Sequence, residues 1–202
     1  MDENATQKYD SFLRDLRNQT AESHKSLENR QLSRSLLEQS LSISFYQLYL
    51  SRLYGVVRAC EAQAYPLLSH LLADLPRREK AELIFNDLLA TGMSQNDIAQ
   101  LPVHHFHEMT IAQAIGVMYV LEGSTLGGKI LYKHISQSLA LNEQTGVSYF
   151  YGYGQQTGIL WKSFITTMAD YAVEENCEQE IISSAVSTFN EIGRWLNETE
   201  IN

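Results

Sequence analysis

The chain has 202 residues, of which 44% are hydrophobic and 19% are charged, a composition typical of one soluble globular domain. Its 15 Lys and Arg residues against 24 Asp and Glu residues give a formal net charge of −9 with no basic block, which argues against nucleic acid or an anionic membrane as a partner. No apolar run is long enough to span a membrane, and the first residues lack the features of a signal peptide, so we expect a cytoplasmic protein without membrane insertion.

The first predicted helix carries apolar residues three or four positions apart from Phe12 to Leu27, and His24 lies on that stripe. A lone histidine on an apolar face is usually a packed core residue. Two neighbours favour a ligand role instead. Glu28 follows one turn later and could accept a hydrogen bond from the ring nitrogen that does not bind a metal, and Arg17 precedes by two turns and could hold an acidic group of a large ligand. The alternative is that Arg17 and Glu28 are solvated surface charges.

The middle of the chain predicts more helices, separated by proline and glycine. A long apolar pattern runs from Phe45 to Leu71, and Pro66 is expected to kink it. Pro76 is expected to open the next helix, and the run Thr91-Gly92-Met93-Ser94 is typical of a helix end followed by a turn.

The run His104–His107 holds three histidines in a polar loop after Pro102. Apart from Glu108, no cysteine or carboxylate stands near it at ligand spacing, so we expect solvated histidines rather than a metal site. Cys60 and Cys177 are isolated and are expected to be buried thiols.

A helix predicted from about Ile111 to Leu139 contains three glycines close together, Gly123, Gly127 and Gly128. Each interior glycine costs a helix roughly 1 kcal/mol relative to alanine, so three of them need a compensating gain. One explanation is that a flat or bulky ligand approaches the backbone. Close packing against another helix through small residues is an equal alternative.

The last third of the chain predicts a loop and two helices. The run Val147–Tyr153 is strand-like but has no partner strand, so we expect an extended loop. Apolar stripes from Trp161 to Tyr171 and from Ile182 to Leu196 predict helices, and Lys162 is a candidate clamp for an anion. The chain is therefore predicted to form one all-α domain over residues 1–202.

Taken together, two segments resemble the haem oxygenase family. The segment Leu16–Glu28, LRNQTAESHKSLE, is similar to the family's proximal helix, in which a histidine ligates haem iron and a glutamate one turn later supports it. The segment Tyr119–Gly128, YVLEGSTLGG, is similar to the glycine-rich distal helix, and is closest to the bacterial branch that supplies biliverdin to phytochromes. The runs Tyr149–Gly154 and Trp161–Phe164 fit that branch too.

The resemblance implies a helical bundle with haem between the proximal and distal helices. It also implies oxidative cleavage of haem to biliverdin, carbon monoxide and ferrous iron. Haem is then both cofactor and substrate, and it brings the iron. Dioxygen is consumed, and the electrons come from an external ferredoxin or reductase, since no flavin or nicotinamide site is visible in the sequence.

The resemblance also assigns roles on the proximal side. His24 is the expected iron ligand, and Thr20 and Glu28 are expected to hold its environment. Arg17 and Lys162 are expected to face the propionates.

On the distal side the resemblance assigns Gly123, Gly127 and Gly128 to crowd dioxygen toward one meso carbon. Many family members carry an aspartate directly after the first of these glycines, where it anchors the water that delivers protons, and here that position is Ser124. A hydroxyl holds water but supplies no charge. Glu122 is one residue away and faces another side of the helix, so it does not replace the aspartate.

Three other functions stay open at this level. The serine at the aspartate position motivates a haem-binding or storage protein with a retained pocket and little turnover. A protein of the same fold that binds another ligand, such as a thiamine-related molecule, does not need the pair of His24 and Glu28. An interaction module without a small ligand leaves the glycine run unexplained.

Overall fold

A computed structural model describes residues 3–197, which form ten α-helices joined by turns and loops. In chain order the helices are α1 (Glu3–Glu28), α2 (Gln31–Ser35), α3 (Ile43–Gln63), α4 (Tyr65–Leu68), α5 (Ala81–Ala90), α6 (Gln95–Ala99), α7 (Ile111–Leu139), α8 (Ser148–Tyr151), α9 (Thr157–Glu175) and α10 (Glu178–Trp195). No β-strand occurs between residues 3 and 197, so the prediction of a single all-α domain is confirmed. None of the helices in that range has the length and hydrophobicity needed to cross a membrane.

The long glycine-containing helix α7 has the predicted bounds, Ile111–Leu139. It begins at a capping box, in which the Thr110 hydroxyl accepts from the Gln113 backbone N–H at 3.2 Å and the Gln113 side chain accepts from the Thr110 N–H at 2.9 Å. It ends at Ala140, whose φ of +55° stops the helical hydrogen-bond pattern. The helix is continuous across its glycines.

Helix α10 packs directly along α7. The Thr110 hydroxyl donates to Glu180 at 2.7 Å, and further along both helices the Ser184 hydroxyl donates to the Gln113 carbonyl at 2.8 Å. A Cβ atom at Gly116 would lie 2.6 Å from the Ser184 Cβ, so this glycine allows the two helices to approach closely. Residues later in α7 contact residues later in α10, so the two helices run in the same direction.

Helix α1 lies on α10 as well. The His24 ring contacts Phe189, and just past the end of α1 the Arg30 guanidinium lies against Gly193. Here too the later residue of one segment contacts the later residue of the other. Helix α1 therefore runs in the same direction as α10, and so in the same direction as α7. Helix α9 contacts α1, α7 and α10.

The buried side chains form two clusters. The larger one joins α1, α7, α9 and α10 through residues that include Phe12, Leu16, Met118, Phe164, Met168 and Ile192. The smaller one joins α3, α5 and α8 through residues that include Tyr46, Leu50, Ile84, Leu88 and Phe150. These two clusters fix the positions of α1, α7 and α8 relative to one another.

Both proline predictions need correction. Helix α3 ends at Gln63, and Pro66 stands in the first turn of α4, where its missing N–H leaves no hydrogen bond unmade, so the helix breaks instead of bending. Pro76 lies in an isolated 3-10 turn, Leu75–Arg77, and the next helix begins only at Ala81. The predicted helix end is confirmed, since α5 stops at Ala90 and Gly92 adopts a φ of +104°.

The extended loop predicted over residues 147–153 is wrong for its central part. Residues Ser148–Tyr151 form one helical turn, α8. The Asp87 carboxylate accepts from the backbone N–H groups of Ser148 at 2.8 Å and Tyr149 at 2.9 Å, which satisfies the start of this turn. The anchor comes from a residue about sixty positions earlier, which a local pattern does not reveal. Cys60 is buried as expected, and Cys177 is partly exposed.

Candidate functional site

The His24 side chain lies at the surface of α1, not in the core. Its side chain is 54% exposed, and one edge of the ring rests on Phe189 with 5.4 Å between ring centroids. Its Nδ1 atom is 3.7 Å from a Glu28 carboxylate oxygen, one turn along the helix. This places the carboxylate on the Nδ1 side of the imidazole and leaves Nε2 available to a ligand.

Helices α1 and α7 meet at Thr20 and Tyr119. Thr20 is buried, and its hydroxyl donates to the Leu16 carbonyl at 2.7 Å. Burial raises the pKa of Tyr119, while a hydrogen bond with the Thr20 hydroxyl and the nearby Arg17 charge oppose that rise. The exposed Arg17 guanidinium therefore stands beside this contact.

His24 and Gly123 each lie one helical turn beyond the contact of Thr20 with Tyr119. Because α1 and α7 run in the same direction, the histidine and the first glycine stand at a similar level on the two helices. We call the region beyond this contact, next to these two helix faces, the slot. Its borders are His24 on α1 and the glycine stretch, residues 123–128, on α7.

The three glycines of the glycine stretch face different surroundings. A Cβ atom at Gly123 would meet the Trp161 ring at an ordinary 3.6 Å, and one at Gly127 would have nothing within 4 Å. At Gly128 the added atom would lie 2.9 Å from the Phe150 carbonyl oxygen. Packing within the protein therefore requires glycine at position 128 and does not require it at 123 or 127.

Large apolar side chains are exposed on the helices that carry this surface. Leu126 and Ile130 flank Gly127 on α7, and Ile130 is 70% exposed. Ile159 on α9 is 72% exposed, and two residues later Trp161 packs on Tyr119 with 5.8 Å between ring centroids. Exposed apolar groups beside an open backbone are typical of a surface that covers an apolar ligand.

Ser124 directs its hydroxyl toward the protein. The group donates to the Leu121 carbonyl at 2.7 Å, and its oxygen lies 3.5 Å from the Tyr149 hydroxyl. Burial raises the pKa of Tyr149 to about 12, and the hydrogen bond with Ser124 opposes that rise. Position 124, where many family members carry an aspartate, therefore holds a hydroxyl that lies next to a second hydroxyl, that of Tyr149.

A buried group of charges lies behind the glycine stretch and was not found in the sequence. Glu122 is 1% exposed and accepts from Arg78 at 2.6 Å, from the Tyr153 hydroxyl at 2.7 Å and from the Lys80 ammonium. We call these four residues the Glu122 cluster. Glu122 faces away from the exposed side of Ser124 and Gly127, as expected from its position on the helix. Arg78 and Lys80 stand in an ordinary run of charged residues, so their burial has no local signal.

The remaining predicted groups lie at the surface. Lys162 is exposed on α9, one residue after Trp161, whose ring touches the glycine stretch. His105 and His107 are exposed as expected, whereas His104 packs against Trp195 with 5.3 Å between ring centroids. In the described part of the chain, no three His, Cys, Asp or Glu side chains converge to hold a metal ion.

Comparison with known proteins gives a consistent result at the level of sequence. A family model described as "Heme oxygenase" matches residues 10–198. The curated protein "Heme oxygenase PigA" of Pseudomonas aeruginosa is 28% identical over 144 residues, which cover 66% of this chain and 72% of that protein.

Solved structures show the same fold. The haem oxygenase of Leptospira interrogans matches with a TM-score of 0.76 at 21% identity, covering 93% of this chain and 99% of that one. The NO- and CO-bound haem oxygenase of Neisseria meningitidis matches with a TM-score of 0.75 at 24% identity, covering 93% of this chain and 91% of that one. At these identities the likeness establishes the arrangement of helices.

Proposed function

Since the chain belongs to the haem oxygenase family, we propose that it cleaves haem in the slot between α1 and α7. The products are biliverdin, carbon monoxide and ferrous iron, and dioxygen and electrons are consumed. The observation that carries this proposal is Gly127, which faces open space although an alanine would fit there and would stabilise the helix. A flat ligand that must approach the backbone accounts for that glycine, whereas packing does not.

The residues of the slot fit haem, which is a flat apolar macrocycle with an iron atom at its centre and two carboxylates on one edge. The exposed imidazole of His24 is proposed to stand on one side of the macrocycle, and the backbone of α7 at Gly127, where no side chain projects, on the other. Leu126 and Ile130, both exposed on α7 next to Gly127, are proposed to supply apolar surface for the macrocycle. As the substrate, haem supplies both the redox-active iron and the carbon atom that is oxidised.

On α1, His24 is proposed to bind the iron through Nε2. Glu28 stands near Nδ1 and favours the tautomer that carries its proton there, which directs the lone pair of Nε2 outward. A neutral histidine ligand leaves the iron able to bind dioxygen, unlike a thiolate, which favours O–O cleavage. Thr20 fixes the helix one turn earlier through its contact with Tyr119.

On α7, Gly123 and Gly127 are proposed to bring the backbone close to the macrocycle. This restricts where dioxygen can lie and selects one meso carbon. Ser124 is proposed to hold water through the oxygen that faces Tyr149, in place of the aspartate common in the family. Gly128 contributes from the other side of the helix, because it admits the Phe150 backbone directly behind the slot.

Arg17 and Lys162 are proposed to bind the propionates. Both side chains are exposed, on α1 and α9 respectively, and each helix contributes a residue to the slot or its border. A guanidinium or ammonium pairs with a carboxylate by charge-assisted hydrogen bonds. Although the net charge of the protein is −9, these two cations would make the border of the slot locally positive.

The test is a hemin titration followed by turnover. Wild-type protein should give a Soret band that saturates at one hemin per chain, and a reductant with air should convert it to the biliverdin spectrum. His24→Ala should lose the native Soret position and the turnover, and added imidazole should restore the spectrum. A stable haem spectrum under reductant and air would indicate storage instead, and absence of hemin binding by the wild type would end the proposal.

Lys25→Ala is the matched control for His24→Ala. Lys25 is exposed on α1 and directly follows the histidine, so its side chain points to another face of the helix. This variant should bind and convert hemin like the wild type.

A further inference from the structure

We propose that the segment Tyr149–Tyr153 is a clamp that holds the glycine stretch of α7 in place before haem binds, with Tyr149 and Tyr153 as its positioning residues. The clamp comprises most of α8 and the turn that follows it. This inference rests on the proposed function in one respect, because the glycine stretch that the clamp holds is the surface proposed to bind haem.

The clamp touches the glycine stretch and its flank at three levels. The Tyr153 hydroxyl donates to the Glu122 carboxylate at 2.7 Å, and the Tyr149 hydroxyl lies 3.5 Å from the Ser124 hydroxyl. The Phe150 carbonyl would lie 2.9 Å from a Cβ at Gly128. These contacts span almost two turns of α7. Glu122 lies on the side of the helix that is turned away from Gly127, whereas Ser124 and Gly128 lie beside the open face.

The Tyr153 contact is secured by buried charge. Besides Tyr153, Glu122 binds Arg78 and Lys80, and the Lys80 ammonium lies 4.8 Å from the centre of the Tyr153 ring. Arg78 also binds Asp74 at 2.8 Å. A carboxylate held by two cations and a hydroxyl in the interior has few alternative positions, because each bond that breaks leaves a buried charge unsatisfied.

The clamp is itself fixed at both ends. Asp87 on α5 is buried and accepts from the Ser148 and Tyr149 backbone N–H groups. At the other end Gly152 and Gly154 adopt φ values of +56° and +57°, a conformation that favours glycine and that turns Tyr153 toward Glu122. The segment is therefore a short rigid element between α5 and α7.

A glycine-containing helix needs such support. Gly123 and Gly127 offer no side chain to pack, and although the Trp161 ring lies next to Gly123, no group of the protein lies against Gly127. Contacts elsewhere on the helix are needed to limit bending of the backbone there. The clamp supplies those contacts, so the wall of the slot is rigid without haem.

The experiment measures amide hydrogen exchange in the haem-free protein for Tyr153→Phe and Tyr149→Phe. Both changes remove one hydroxyl and leave the ring in place. Exchange over residues 122–129 should accelerate about tenfold for Tyr153→Phe, because its bond goes to a charged group, and about two- to threefold for Tyr149→Phe. Exchange in α10 should not change, and hemin should dissociate faster from both variants in the same order.

Tyr151→Phe is the matched control, because Tyr151 belongs to the same segment but is exposed and packs on Tyr132. It should exchange like the wild type. Unchanged exchange in both test variants overturns the clamp, and so does an equal acceleration in α10, which would assign the tyrosines to the whole fold. If the wild type binds no hemin, the proposed function fails, and the exchange data still decide the clamp.

Discussion

The two sides of the slot are held in opposite ways. The α1 side carries its functional groups at the surface, with the carboxylate of Glu28, which is 66% exposed, beside the His24 ring. The α7 side carries no functional side chain toward the slot at Gly127, yet it is backed by Glu122 and by Arg78, whose exposure is 0%. The side that is proposed to supply the iron ligand is held by few contacts, whereas the side that is proposed to supply only shape is fixed by buried contacts behind it.

This difference has a physical reason. A histidine can adjust its position by rotating about two side-chain bonds, so a nearby carboxylate is enough to orient it. A backbone wall has no such freedom, and its shape is correct only when the helix itself is fixed.

The largest effect is expected from removing the buried carboxylate. Glu122→Ala leaves Arg78 and Lys80 buried without their partner and should lower the free energy of unfolding by about 3–5 kcal/mol. Glu28→Ala removes an exposed carboxylate from the other side and should change it by less than about 0.5 kcal/mol. Urea unfolding measures both. Equal losses for the two variants would contradict the contrast between the sides.

Two neighbouring glycines should separate stability from function. Gly128→Ala places a methyl group 2.9 Å from the Phe150 carbonyl and should destabilise the fold by about 1–2 kcal/mol, net of the better helix propensity. Gly127→Ala meets no atom and should stabilise the haem-free fold by up to about 1 kcal/mol. Thermal unfolding checks the signs.

The same Gly127→Ala variant should bind hemin more weakly and turn it over more slowly, since the methyl group enters the slot. Hemin titration and biliverdin formation measure these effects. A variant at position 127 that is more stable and fully active would show that the glycine has no role in ligand approach.

Glu28→Gln should act on the ligand and hardly on the fold. The amide keeps the size of the side chain and removes the charge beside Nδ1, so hemin affinity should fall by about tenfold. The dissociation rate of hemin, followed at the Soret band, measures this loss. Glu22→Gln, an exposed glutamate on another face of α1, should leave the rate unchanged.

The smallest effect lies away from both sides, where the Tyr132 hydroxyl donates to Glu143 at 2.5 Å. This bond lowers the pKa of the Glu143 carboxyl below its ordinary 4.5. Because the folded-state value is the lower one, the contribution to stability is present above pH 4.5 and is lost as the pH falls through the folded-state pKa. Tyr132→Phe should raise that pKa toward 4.5 in a carboxyl-carbon NMR titration and leave hemin binding intact.

The contrast between the sides also explains what the sequence could predict. His24, Glu28, Arg17 and Thr20 stand on one helix at turn spacing, so their relation is local and visible. The bounds of α7 were predictable for the same reason, from the local periodicity of its apolar residues.

The rest depends on contacts between distant parts of the chain. Glu122 binds residues 31 to 44 positions away, and α8 exists because Asp87 caps it from 61 positions away. The single-turn helix at residues 148–151 was therefore expected to be an extended loop. The sequence placed His24 on the apolar stripe of α1, yet its side chain is exposed. Only one edge of the ring contacts α10, at Phe189, and periodicity within α1 does not show how far the neighbouring helix covers it.

A flat ligand between the two helix faces would bring its iron close to residues of both helices, and paramagnetic broadening by ferric haem detects that proximity. In an amide NMR spectrum of the hemin complex, the signals of His24, Gly123 and Gly127 should all disappear, while that of Gly92, in the turn after α5, should persist. Broadening confined to one helix, or signals from α7 that survive while those around His24 vanish, would exclude a ligand between the two helices.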